Sequence, residues 1–146
     1  MRSAAVQAAK WDSEGVLREP DVHDASFTGI CMHRPDAVSR PDATLTFKME
    51  DGRPVELQLL GVERLVLEEF FEGNIVFEIE VKDVRNATDA ELGLACREAD
   101  MDARVLEWFA ELRNSQLLLL EISPTYGAKC WALIRGVQYR FAEEVQ

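Results

Sequence analysis

Strict alternation of apolar and polar residues marks the middle of the chain as β-structure. Residues 44–50 and 55–59 alternate in this way, and Asp51-Gly52 lies between them. An Asp-Gly pair between two alternating runs favours a tight hairpin. The pattern therefore predicts a β-hairpin with these apolar positions on its inward face: Leu45, Phe47, Met49, Val55, Leu57 and Leu59.

Four further segments have strand character. Residues 25–33, 75–82, 117–122 and 129–141 are rich in apolar and β-branched residues, and Gly136 predicts a bend in the last of them. Neither face of 25–33 is purely polar, so we expect both to be covered. Within 75–82, alternation predicts that Ile75, Phe77, Ile79 and Val81 point inward. Residues 62–71 leave two alternatives open, a short strand or, at 68–72, a turn of helix.

The segment 86–114 changes to helical patterning. Thr88 and Glu91 have the spacing of a capping box, which predicts a helix as far as about Arg97. A second helix over 101–113, capped by Asp100, carries one apolar stripe. Its members are Met101, Val105, Trp108, Phe109 and Leu112.

Together these elements predict an α+β fold. Its main part is an antiparallel sheet, curled or forming a partial barrel, packed by one or two helices within 86–114. A chain of 146 residues suits one domain. We expect an N-terminal arm over 1–20, either a frayed helix or a loose extension, followed by one globular domain over 21–146.

Charge narrows the range of partners. The chain has 16 basic and 27 acidic residues, a formal net charge of −11. Such a surface repels nucleic-acid phosphates and anionic membranes, so neither is an expected partner. It favours basic proteins, or it serves only to keep the protein in solution. Three widely spaced cysteines and the absence of a long apolar segment indicate free, mostly buried thiols and a cytoplasmic location.

The residue types that carry catalysis or bind cofactors are sparse. There is no Cys-x-x-Cys, no His-x-x-x-His and no Gly-rich phosphate loop, so we expect no metal and no cofactor. Cys31 and His33 share a strand face, yet nothing marks an oxyanion hole beside them. Glu78 and Glu80 are expected to be solvated. The prediction is a protein without enzymatic activity.

One acidic cluster stands out for binding. Glu68, Glu69 and Glu72 surround Phe70 and Phe71. If either phenylalanine is exposed, apolar area rimmed by charge describes a protein-binding surface. If both are buried, the cluster is the solvated edge of a core. Glu68, Glu69, Phe70 and Glu72 are the candidate binding residues.

The order of several short motifs resembles the immunity protein 50-like group of small bacterial domains. The motifs are His23-Asp24 before the first strand, the run Leu65-Val66-Leu67-Glu68-Glu69-Phe70, then Gly73-Asn74-Ile75-Val76-Phe77, and a late Pro124-Thr125-Tyr126-Gly127. They span about residues 20–140. This resemblance implies a protein that binds and neutralises a cognate toxin, without catalytic residues, and His23 and Asp24 would serve as the structural start of a strand.

Two other functions stay open beside an immunity protein acting on a basic toxin. One is a structural domain that assembles as a homo-oligomer, such as a homodimer. The other is a small-ligand binder that uses a cavity in the curled sheet.

Overall fold

The computed structural model describes residues 5–142 and is dominated by one antiparallel sheet. Nine strands pair in the order β1-β11-β6-β5-β4-β8-β9-β10-β7, and β2 and β3 form a separate two-stranded hairpin. The strands are β1 Gln7–Ala8, β2 Lys10–Trp11, β3 Leu17–Glu19, β4 Ser26–His33, β5 Asp42–Lys48, β6 Pro54–Leu60, β7 Arg64–Glu68, β8 Asn74–Asp83, β9 Leu118–Tyr126, β10 Lys129–Ile134 and β11 Gly136–Phe141.

The sheet consists of two half-sheets that meet at a short junction. β4 pairs with β8 only through Ser26↔Ile75 and Phe27↔Asn74. Strands β1, β11, β6, β5 and β4 lie on one side of this junction, and β8, β9, β10 and β7 on the other. Apolar residues of both half-sheets belong to one buried cluster, so the sheet curls and its inner faces enclose a common core. The outer strands β1 and β7 do not pair with each other within residues 5–142, and the sheet is not a closed barrel.

Two helices cover the outer face of the second half-sheet. α1 (Asp89–Cys96) begins at the predicted capping box, in which Thr88 and Glu91 bond reciprocally. α2 (Ala103–Arg113) is capped by Asp102, two residues after the predicted cap. Val105, Phe109 and Leu112 of the predicted stripe are buried in a second core with residues of β7, β9 and β10, whereas Met101 is 38% exposed.

The central hairpin is confirmed, and its turn is wider than two residues. Leu45, Phe47, Val55, Leu57 and Leu59 are all at most 1% exposed. The amide of Met49 donates to the carbonyl of Arg53, and Gly52 adopts a φ of 89° between them. The turn therefore has three central residues with glycine in the left-handed position, a common hairpin geometry.

Several predictions are wrong about which strand residues are covered and about the two terminal segments of the domain. A bulge between Phe27 and Gly29 reverses the later faces of β4, so Cys31 and His33 are exposed rather than covered. The Ala-rich start is neither helix nor loose arm over residues 7–19, which contain β1, β2 and β3; residues 1–4 lie outside the described part. The segment 129–141 bends as predicted, but β10 and β11 belong to different half-sheets.

Candidate functional site

The predicted acidic cluster forms a loop between β7 and β8, which we call the acidic loop (residues 68–73). Glu68 is the last residue of β7, and Glu69 then turns the chain with a left-handed φ of 56°. Gly73, with a φ of 84°, leads back into β8. A turn of helix at 68–72, one of the two alternatives, is therefore wrong.

A single buried side chain holds this loop in place. Asn74 is 2% exposed and is the one buried polar residue in the described part of the chain. Its Oδ1 accepts hydrogen bonds from the amides of Phe71 (2.8 Å) and Ala128 (3.1 Å). Its Nδ2 donates to the carbonyls of Phe71 and Phe27. One amide group thus ties the acidic loop to β4 and to the β9–β10 turn.

Both phenylalanines of the acidic loop reach solvent. Phe71 is 55% exposed and Phe70 is 40% exposed. The ring of Phe70 packs edge-on against the buried ring of Phe27, with 5.3 Å between centroids. A cleft of about 470 Å³ lies beside these rings, between the loop and the start of β4. The geometry therefore matches the first of the two alternatives for this cluster, exposed apolar area rimmed by charge.

Exposed apolar side chains continue from the loop onto β8 and β9. Ile75 and Tyr126 are register partners and are 37% and 57% exposed, and Phe77 is 48% exposed. The alternation predicted that Ile75 and Phe77 point inward, and this is wrong. Register shifts between Ile75 and Val76 and between Val76 and Glu78 put Val76 into the core instead. The sequence shows no glycine or proline within β8 that signals these shifts.

The carboxylates of the acidic loop are largely free of basic neighbours. Glu68 lies 3.8 Å from the guanidinium of Arg97. Glu69 and Glu72 form no ion pair within residues 5–142, and both are exposed. Basic side chains of a partner would therefore pair with carboxylates that no basic residue of the described chain neutralises.

A second acidic group lies on the outer face of β8 and β9. Glu80 faces Glu121 in the strand register, and Glu78 lies two residues before it on β8. Partial burial, and then the neighbouring carboxylates Glu78 and Glu121, raise the pKa of Glu80 above its ordinary value. Glu78 and Glu80 are half-buried rather than fully solvated. Within the described residues, no group of three or more potential ligands is arranged to hold a metal ion.

This raised pKa predicts a stabilising substitution. A carboxyl whose pKa is higher in the folded state contributes stability that is lost as pH rises through that pKa. Glu80→Gln should therefore increase the free energy of unfolding at pH 7, and the gain should shrink as pH falls toward about 4.5. Urea denaturation at several pH values measures both. Glu107→Gln, on the exposed face of α2, is the control; an equal gain there would contradict the prediction.

The histidines and thiols do not assemble into a catalytic group. His23 donates a hydrogen bond from Nδ1 to the carbonyl of Phe77 (2.6 Å), and this bond raises the pKa of His23, with Asp24 adding to the effect. All three thiols are free and two are buried, as the sequence predicts, while Cys31 is exposed. Burial raises the pKa of Cys96 and raises that of Cys130 to about 12, so neither is a ready nucleophile.

Comparison with known proteins adds no relationship at this point: no family model, curated protein or solved structure matches the chain. Among the described residues, neither helix has the length and apolar character needed to cross a membrane.

Proposed function

We propose that this chain is a non-enzymatic protein-binding domain that holds a basic partner protein at the acidic loop. The observation that carries the proposal is the geometry of the acidic loop. Hydrogen bonds from Asn74 hold the loop in place, and the loop presents two exposed phenylalanine rings among carboxylates. Exposed aromatic residues inside a polar rim are typical of the residues that dominate binding energy at protein interfaces.

Rigidity supports this proposal. Phe71 uses both its backbone N–H and its carbonyl in bonds to Asn74, so its backbone is fixed before any partner arrives. A loop that is already ordered loses little conformational entropy on binding. A large aromatic side chain on such a loop is therefore a favourable anchor for a partner.

Charge supports a basic partner. Glu69 and Glu72 are exposed beside the phenylalanines and have no ion pair within residues 5–142. The whole chain has a net charge of −11, which attracts basic proteins over distances beyond direct contact. Electrostatic attraction of this kind raises the association rate and weakens as salt increases.

The test is affinity capture from the native host at low salt with three versions of the tagged protein. Wild type and the control Val38→Ser should retain the same basic protein, because Val38 is a 94% exposed apolar residue outside the acidic loop. Phe71→Ser should lose it, with affinity reduced by a factor of about 30 or more. Raised salt should release it from the wild type.

Charge reversal gives a second measurement on the captured partner. Glu72→Lys should lower the association rate and reduce its salt dependence, whereas Glu107→Lys changes net charge equally and should have less effect because it lies on α2. Equal effects of the two substitutions would mean that net charge alone governs binding, and the acidic loop would not be the interface.

The resemblance to immunity protein 50-like domains extends the proposal to the partner's class, a basic toxin that the domain neutralises. Expression of the captured partner should then arrest growth of host cells. Co-expression of wild type or Val38→Ser should restore growth, and Phe71→Ser should not. A captured partner that leaves growth unchanged would keep the binding proposal and remove the toxin.

A further inference from the structure

We propose that the open edge of β4 pairs antiparallel with the same edge of a second copy of this chain, forming a two-fold symmetric dimer with a sheet continuous across both subunits. This edge adjoins the acidic loop at the cleft that Thr28 and Glu72 line, but the pairing itself uses the backbone of residues 28–33 rather than the exposed phenylalanine rings. The inference therefore goes beyond the binding of a basic partner and does not depend on it.

The edge is open because β8 leaves β4 after two residue pairs. β5 pairs along β4 as far as His33, but on the other side β8 reaches only Ser26 and Phe27. If the pairing continued, Gly73 and Glu72 would lie opposite the next residues of β4. These two residues belong to the acidic loop instead of a strand. Residues 28–33 thus have no strand on this side within the described chain. Their outward backbone groups form a template for another strand.

The side chains of this edge suit a second copy. Ile30 and Met32 stand opposite Leu45 and Ala43, so they lie on the core face of the half-sheet. Met32 is nevertheless 47% exposed, and Ile30 is only partly buried at the rim of the core. A symmetric antiparallel pairing centred on Cys31 places Ile30 opposite Met32 of the second copy, because directly opposite residues share a face. Each copy then covers the apolar residues that the other leaves exposed.

The charges at the two ends of the edge are complementary. Residues 28–34 contain no acidic residue and end in His33 and Arg34, whereas Glu72 lines the cleft beside Thr28 at the opposite end. Antiparallel pairing about Cys31 puts Arg34 of one copy opposite Thr28 of the other, and hence beside Glu72. The dimer contains this arrangement twice. In a chain with a net charge of −11, this edge is also where two copies repel each other little.

The proposed register makes a specific prediction for Cys31, which would lie directly opposite its own copy. Opposite residues in antiparallel strands have Cα atoms about 4.5–5.5 Å apart, within the range that a disulfide spans. Oxidised glutathione, which takes up the two electrons and two protons, should therefore link two chains through Cys31. Cys96 and Cys130 are buried and should not react.

The control for the cross-linking experiment is a variant with an exposed thiol at a position that the register does not place opposite itself. In a Cys31→Ser background, His33→Cys places a thiol on the same exposed face, two residues away. The register puts position 33 opposite position 29 of the second copy, so two such thiols are too far apart to join. A disulfide dimer in wild type and none in this variant is the expected result. Equal cross-linking of both, or of neither, would overturn the register.

Sedimentation across a range of concentrations tests the dimer without oxidation. Met32→Lys should raise the dimer dissociation constant by about tenfold or more, whereas Leu94→Lys, an equally exposed position on α1, should leave it unchanged. Wild type that stays monomeric at every concentration the protein tolerates would overturn the proposal, as would a dimer weakened by Leu94→Lys but not by Met32→Lys.

A charge swap keeps the test valid even if Met32→Lys disturbs folding. Arg34→Glu and Glu72→Lys should each weaken the dimer by about fivefold, since every dimer contains the repulsive contact twice. The double variant should regain most of the wild-type affinity. Additive weakening in the double variant would mean that these two residues do not meet across the interface.

Discussion

Replacing Asn74 with alanine should lower the free energy of unfolding by about 3 kcal/mol. The substitution removes four hydrogen bonds at once and leaves the amide of Ala128, a 3% exposed residue, without its acceptor. A buried donor without a partner costs more than the net value of the bond it has lost. Urea denaturation measures the change.

The control for this substitution is Asn86→Ala, at the exposed end of the short 3-10 turn Val84–Asn86, where the change should be within about 0.5 kcal/mol. Hydrogen exchange gives an independent result, because the amide of Phe71 should lose its protection once its acceptor on Asn74 is gone. Unchanged protection in a folded Asn74→Ala protein would show that Asn74 does not hold the acidic loop.

Gly127→Ala should destabilise the protein by a similar amount, about 3 kcal/mol. Gly127 has a φ of 85°, and a Cβ there would overlap Oδ1 of Asn74, which already accepts two hydrogen bonds. Gly52→Ala separates the cost of the positive φ from the cost of the overlap with Asn74. Gly52 has nearly the same φ, 89°, but nothing within 4 Å of an added Cβ, so it should cost only about 1 kcal/mol.

A double-mutant cycle tests whether the overlap with Asn74 is the cause. Gly127→Ala combined with Asn74→Ala should cost less than the sum of the two single substitutions, because the overlapping oxygen is absent. Strict additivity, measured by urea denaturation, would place the strain of Gly127→Ala elsewhere.

Local signals account for the features that the sequence predicted well. The hairpin follows from alternation on both sides of Asp51-Gly52, and α1 begins where Thr88 and Glu91 bond each other. In both places the determining residues are near neighbours in the chain. Such interactions can be identified from spacing alone.

The errors arise where distant segments decide the geometry. The bulges in β4 and β8 reverse which residues face the core, and alternation carries no information about an extra residue in one strand. The separation of β10 from β11 depends on their partner strands. β10 pairs with β9 and β7, whereas β11 pairs with β6 and β1.

The candidate site was predictable in part. Composition identified the carboxylates and phenylalanines of the acidic loop, but whether the rings are exposed depends on packing against Phe27 of another strand. In the sequence, Asn74 follows Gly73, and a Gly-Asn pair by itself indicates only a turn. Its role comes from contacts with Phe27 and Ala128, 47 and 54 residues away, which the local sequence does not specify.

The division of β10 and β11 between two half-sheets affects how the protein folds as it is synthesised. β6 is synthesised well before its partner β11, since a register pair such as Gln58 and Gln138 lies 80 residues apart. Until then β6 pairs only with β5, and its other edge is open to other polypeptides. Completion of this half-sheet must therefore wait until residues 136–141 have been synthesised, and a ribosome-bound chain ending near Arg135 should be a preferred substrate for chaperones.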